Sequence, residues 1–113
     1  MTVVDGTSGR IVTTQPIGRG VDATEFDRER GLVYFSSGDG TMSVFHQDTP
    51  DTYTLVESVK TQSGARTMAL DQKTGRAFLS AAEFGPRPAP TPGSPQPRAP
   101  MIPGSFSVLI IGE

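Results

Sequence analysis

Gly20-Val21-Asp22-Ala23-Thr24-Glu25-Phe26-Asp27 returns 44 residues later as Gly64-Ala65-Arg66-Thr67-Met68-Ala69-Leu70-Asp71. The match continues at the same offset, with Gly31-Leu32-Val33-Tyr34-Phe35-Ser36 over Gly75-Arg76-Ala77-Phe78-Leu79-Ser80. Gly40-Thr41-Met42-Ser43-Val44-Phe45 then matches Gly104-Ser105-Phe106-Ser107-Val108-Leu109, now at an offset of 64. An insertion of 20 residues separates the units, and composition locates it: 8 of the 10 prolines fall between Pro86 and Pro103. Such a period decides the fold class before any motif does, because a repeat unit buries its apolar face only against a neighbouring unit.

Each unit reads as strands. Its short apolar segments, such as Leu32 to Ser36 and Phe106 to Ile111, are rich in Val, Ile, Phe and Tyr and are bounded by Gly or Asp. Asp5-x-x-x-Gly9, Asp27-x-x-x-Gly31 and Asp71-x-x-x-Gly75 are tight links opened by Asp and closed by Gly, and Ser37-Gly38-Asp39-Gly40 reads as a two-residue hairpin turn. No stretch keeps a 3.6-residue apolar period, so an all-β chain without helix is predicted. A period near 44 with four strands per unit marks a β-propeller blade. The first blade is assigned Val21–Asp27, Leu32–Ser37, Thr41–His46 and Tyr53–Val59. The second is Ala65–Asp71, Arg76–Ala82 and Ser105–Ile111, without a fourth strand. Val3–Asp5 and Arg10–Thr14 end a preceding blade. The fold expected is therefore a partial β-propeller, one incomplete domain over 1–113: residues 1–20 close one blade, 21–64 form the next, and 65–113 form a third that carries the 86–103 insertion.

Composition narrows the function. With 10 Lys and Arg against 12 Asp and Glu, scattered singly, the chain lacks the clustered basic face of a nucleic-acid binder. No apolar run approaches the length of a membrane span. The absence of cysteine removes disulfides and thiolate metal sites. The opening Met1-Thr2-Val3-Val4-Asp5 lacks the basic and apolar regions of an export signal.

The pattern Val3-Val4-Asp5-x-x-x-Gly9-Arg10-Ile11-Val12, then Ile17-Gly18, then Phe26-Asp27-x-x-x-Gly31-Leu32-Val33-Tyr34 resembles the YVTN-repeat, YncE-like β-propellers. Ala69-Leu70-Asp71-x-x-x-Gly75-Arg76-Ala77-Phe78 repeats it in the second unit. The resemblance covers nearly the whole chain outside 86–103. It implies about seven blades in a complete ring and a location outside the cytoplasm, periplasmic or secreted. It also implies that this chain is the C-terminal portion of a longer protein. The family shares no single reaction, so the resemblance implies fold rather than activity.

Candidate chemistry is sparse. Gly18-Arg19-Gly20-Val21-Asp22-Ala23 fits the dinucleotide fingerprint in form, but that mechanism needs a helix opening at the glycines, and a strand follows here. His46, the single histidine, aligns with Ile110 and reads as a packed or edge residue rather than a catalytic or metal-binding one. Asp22 and Arg66 occupy equivalent places at the start of the innermost strands. They are candidates either to bind a polar ligand or to pair as an ion bridge between blades. Glu25 and Asp39 complete the local acid supply. No cofactor is expected. The 86–103 loop reads as extended polyproline II, a flap or spacer.

Two functions fit this reading. The leading one is a non-catalytic binding or interaction module that meets a small molecule or protein partner at the channel mouth. The alternative is a lactonase-like or other metal-dependent hydrolase, which would need several convergent acids or histidines on the inner strands. Phe26 with Leu70, and Tyr34 with Phe78, are expected as equivalent packing residues between blades. The open ends predict self-association, with one chain's Arg10–Thr14 beside another's Ser105–Ile111.

Overall fold

The structure, a computed structural model, describes residues 1–112, and no helix occurs among them. Nine strands form three antiparallel sheets among these residues. The first sheet pairs β1 (Thr2–Val4) with β2 (Ile11–Thr14). The second is a four-stranded meander of β3 (Val21–Asp27), β4 (Leu32–Ser37), β5 (Thr41–Thr49) and β6 (Thr52–Lys60). The third orders β7 (Met68–Asp71), β8 (Arg76–Ala81) and β9 (Ser107–Ile111).

The Asp-x-x-x-Gly links act as expected and share one construction. Asp5, Asp27 and Asp71 each turn a carboxylate oxygen back onto following backbone N–H groups at 2.7–3.1 Å. Gly9, Gly31 and Gly75 close the turns at φ of 72°, 65° and 73°, a region where a side chain would be strained. The Ser37–Gly40 hairpin differs from expectation. Ser37 pairs directly with Thr41, which leaves a three-residue loop in which Gly40 alone takes a positive φ. That is the alternative three-residue solution for joining two twisted strands.

Alternation along the strands gives each sheet two faces. Ala23, Leu32, Tyr34, Met42, Val44 and Val59 point from the second sheet toward the third, where they meet Ala65, Met68, Leu70, Ala77, Leu79, Ala81, Leu109 and Ile111. The small residues Ala77 and Ala81 let the sheets approach, and the two come closest along their first strands, β3 and β7. On the opposite face of the second sheet Phe35 and Phe45 meet edge to face, with centroids 6.0 Å apart.

The expected packing residues fall in equivalent places on their sheets, but not all are covered. Tyr34 and Leu70 lie in the seam, but Phe26 faces the other way and is 41% exposed, because the two-stranded first sheet covers that face only in part. Phe78 pairs with Ile110 on the outward face of the third sheet, away from the seam. The proline-rich segment also departs from a simple extended strand. It runs out and back, closed at its stem by the Phe84–Met101 bridge and at its tip by mutual Thr91–Ser94 hydrogen bonds. Ser105 ties the base, its hydroxyl accepting from the Glu83 N–H and donating to the Ile102 carbonyl.

Candidate functional site

Strand register puts Val21, Ser37, Thr41 and Lys60 at one end of the second sheet. The 61–67 link between β6 and β7 arrives at the same end. The Gly38–Gly40 hairpin organises it: Gly38 N–H donates to Gly20 O at 2.9 Å, Gly64 N–H to Gly38 O at 2.9 Å, and Thr61 N–H to Gly40 O at 2.8 Å. Two connections, the one leading into β3 and the 61–67 link, thus converge on one turn.

Asp39 is the most committed acid there. One carboxylate oxygen accepts from the Arg19 N–H at 2.7 Å, and the other from the Thr41 hydroxyl at 2.6 Å and Thr41 N–H at 3.1 Å. The Thr41 hydroxyl, followed by the Arg19 N–H, holds its carboxyl below the ordinary value. Asp39 therefore shapes the loop, with most of its lone pairs already engaged.

Asp22 and Arg66 are both exposed at this end, yet they do not form the expected bridge. The ion pairs within 4.0 Å among the described residues are Asp27–Arg30 and His46–Asp48. Asp22 instead accepts the Thr67 hydroxyl at 3.2 Å. The Cδ of Arg66 lies against Gly38, and its carbonyl takes the hydroxyl of buried Ser36. Equivalent places in the repeat bring the two residues to one end of the molecule but not into contact. Glu25 sits half-buried in the middle of β3 opposite Tyr34, below the loop end.

A cleft of about 510 Å³ opens between the 61–67 link and the stem of the proline-rich loop, lined by Gln62, Ser63, Ala82, Glu83, Phe84 and Ile102. Gln62 spans it, its amide donating to Ala82 O at 3.1 Å. The repeat did not reveal this cleft, because one wall is the insertion that breaks the repeat. Among the described residues Glu83 is its one charged lining residue, beside the exposed side chains of Phe84 and Ile102.

Elsewhere the chemistry is structural. His46 Nδ1 bonds Asp48 at 2.8 Å while its Nε2 edge lies against Gly31. Gly18–Ala23 runs from the link straight into β3, so no helix opens at its glycines. No three carboxylate or imidazole groups converge to hold a metal ion among the described residues. At the far end, Asp27 is fully buried and bonds the Arg30 guanidinium at 2.9 Å. Arg30 continues across the seam to the carbonyls of Gln72 and Lys73. Sequence reading missed this clasp, although Arg30 stands inside the quoted Asp-x-x-x-Gly link. No family model, curated protein or solved structure matches the chain.

Proposed function

We propose that the chain is an arc of a β-propeller similar to the YVTN-repeat family, working as a non-catalytic binding module. In this reading the two larger sheets are successive blades, the first sheet is the end of a preceding one, and β3 and β7 line the channel. The observation that carries it is the packing sense of the repeat. Tyr34 and its counterpart Phe78 lie on the same side of their respective sheets, and the sheets draw closest along their first strands. Successive blades around an axis need both features. The loop end around Arg19, Asp22, Asp39 and Arg66 is then the mouth, and the protein belongs outside the cytoplasm.

At that mouth Asp22 and Arg66 carry opposite, exposed charges that do not satisfy each other. This arrangement suits a small zwitterionic or peptidic ligand, whose ammonium and carboxylate would meet one partner each. Amide chemical shifts of the chain titrated with triglycine test it. The expected result is saturable change confined to Arg19–Asp22, Gly38–Asp39 and Gly64–Thr67, weakened by Asp22→Asn and by Arg66→Gln. Stoichiometric calcium or zinc in the purified protein would overturn it in favour of a metal-dependent hydrolase, and unchanged shifts would remove the binding role.

A further inference from the structure

The repeat specifies what should cover each face of a sheet. On the second sheet Tyr34, Met42 and Val44 are buried because the third sheet lies on them. Their counterparts on the third sheet are Phe78, Phe106 and Val108, by the offsets of 44 and 64. With Ile110 these lie on the outward face of β8 and β9 or, for Phe106, at the head of β9. Phe78 is half-buried and Phe106 borders the stem residues Phe84 and Met101, but Phe106, Val108 and Ile110 are still 62%, 51% and 61% exposed. The third sheet therefore presents to solvent the kind of face that the second sheet buries. At the other end of the molecule the first sheet exposes Ile11 to 63% and its register partner Val4 to 51%, although Val4 also reaches the cleft against the second sheet. The inward face of the first sheet is turned to the second, with Gln15 donating to Tyr53 O at 2.7 Å.

Area bounds the contact that an occupant would make. A compact monomer of 12.0 kDa exposes roughly 6,000 Å². This chain exposes 7586 Å², an excess of about 1,600 Å². The proline-rich loop carries part of the excess and the two end faces the rest. A stable interface buries about 1,600 Å² in total, roughly 800 Å² from each partner. The two end faces hold only part of that excess, so a contact between them falls toward the small end of the interface range.

We propose that a second copy of this chain docks the outward face of its β1–β2 sheet onto the open face of β8–β9. This extends the stack of sheets head to tail. It goes beyond the binding role above and stands on sheet packing alone. Both faces differ, so the contact is heterologous, and copies add until a ring closes or a filament grows.

The chain contains no cysteine, which makes site-specific cross-linking clean. Single variants Ile11→Cys and Val108→Cys are each treated with a short bismaleimide, alone and mixed. Both positions are exposed strand sites, and far-UV circular dichroism verifies that each variant keeps the β fold. Head-to-tail docking is expected to give cross-linked dimer in the mixture and little in either variant alone. Efficient dimer from Val108→Cys alone would overturn it in favour of a symmetric contact. So would unmodified protein that stays at monomer mass by light scattering through a dilution series.

Discussion

Arg30 and Gln72 bind the two larger sheets by reciprocal exchange. The Arg30 guanidinium donates to the Gln72 carbonyl at 3.1 Å, while the Gln72 side-chain amide donates to the Phe26 carbonyl at 3.0 Å. The exchange sits at the end of the sheets opposite the candidate site. It fixes the angle between sheets without touching the loops that a ligand would meet.

Removing Arg30 breaks both its buried and its crossing bonds. Arg30→Ala leaves the fully buried Asp27 carboxylate with backbone N–H partners alone, and a buried acceptor short of a partner is costly. The expected outcome is a urea midpoint clearly below that of Arg28→Ala, a substitution at its exposed neighbour. Arg30→Lys should fall between, since an ammonium cannot reach Asp27 and two carbonyls together. Equal midpoints for the Arg28 and Arg30 variants would show that the clasp contributes nothing.

Acid should unfold the chain through its turn aspartates. Burial pushes the Asp27 carboxyl up, but the Arg30 N–H, the Arg30 guanidinium and the Glu29 N–H outweigh it and hold the group below 3.8. Asp5 is held low chiefly by the Ser8 N–H, and Asp71 chiefly by the Thr74 hydroxyl. A group depressed in the folded state contributes stability above its unfolded value, and that stability is lost as pH falls through the folded value. Unfolding free energy is therefore expected to be level from neutrality to about pH 5 and to drop below about pH 4. Urea melts across that range check it; a midpoint unchanged in acid would contradict it.

Gly18 marks a close approach that tolerates no side chain. A Cβ there would stand 2.3 Å from the Thr41 hydroxyl and 2.7 Å from that of Ser37. Gly18→Ala is expected to cost about 1–3 kcal/mol through overpacking. Gly6→Ala meets nothing within 4 Å and should change stability by less than about 0.5 kcal/mol. Equilibrium denaturation of the pair separates the two effects.

The seam and the open face should respond oppositely to truncation. Leu79 is wholly buried, so Leu79→Ala is expected to cost about 2–5 kcal/mol. Phe106, at 62% exposed, should cost less than about 0.5 kcal/mol in the monomer. A large loss for Phe106→Ala in dilute monomer would mean that its face is covered within the chain.

Much of the fold could be read from the repeat, and the limits have local causes. The bounds Val21–Asp27 and Leu32–Ser37 coincide with expectation because Asp–Gly turns punctuate them. β7 begins at Met68 rather than Ala65, since Ala65 N–H is spent on Gln62 O and the Arg66 carbonyl on Ser36. At the site, the repeat correctly brought Asp22, Asp39 and Arg66 to one end. It could not reveal that Thr67, one residue beyond Arg66, would take the Asp22 carboxylate. Periodicity ranks residues by position within a unit, whereas hydrogen bonds between units depend on side-chain reach. Arg30 escaped notice for the same reason: its turn looked complete with Asp27 and Gly31 alone.

The claim on which the rest depends is that these sheets form an open stack, uncovered at both ends. Small-angle X-ray scattering on a chain held monomeric by Val108→Asp tests it most directly. An open stack is expected to give a radius of gyration near the 16.8 Å of the Cα trace. A value near 13 Å, which a compact chain of this length would show, would contradict it.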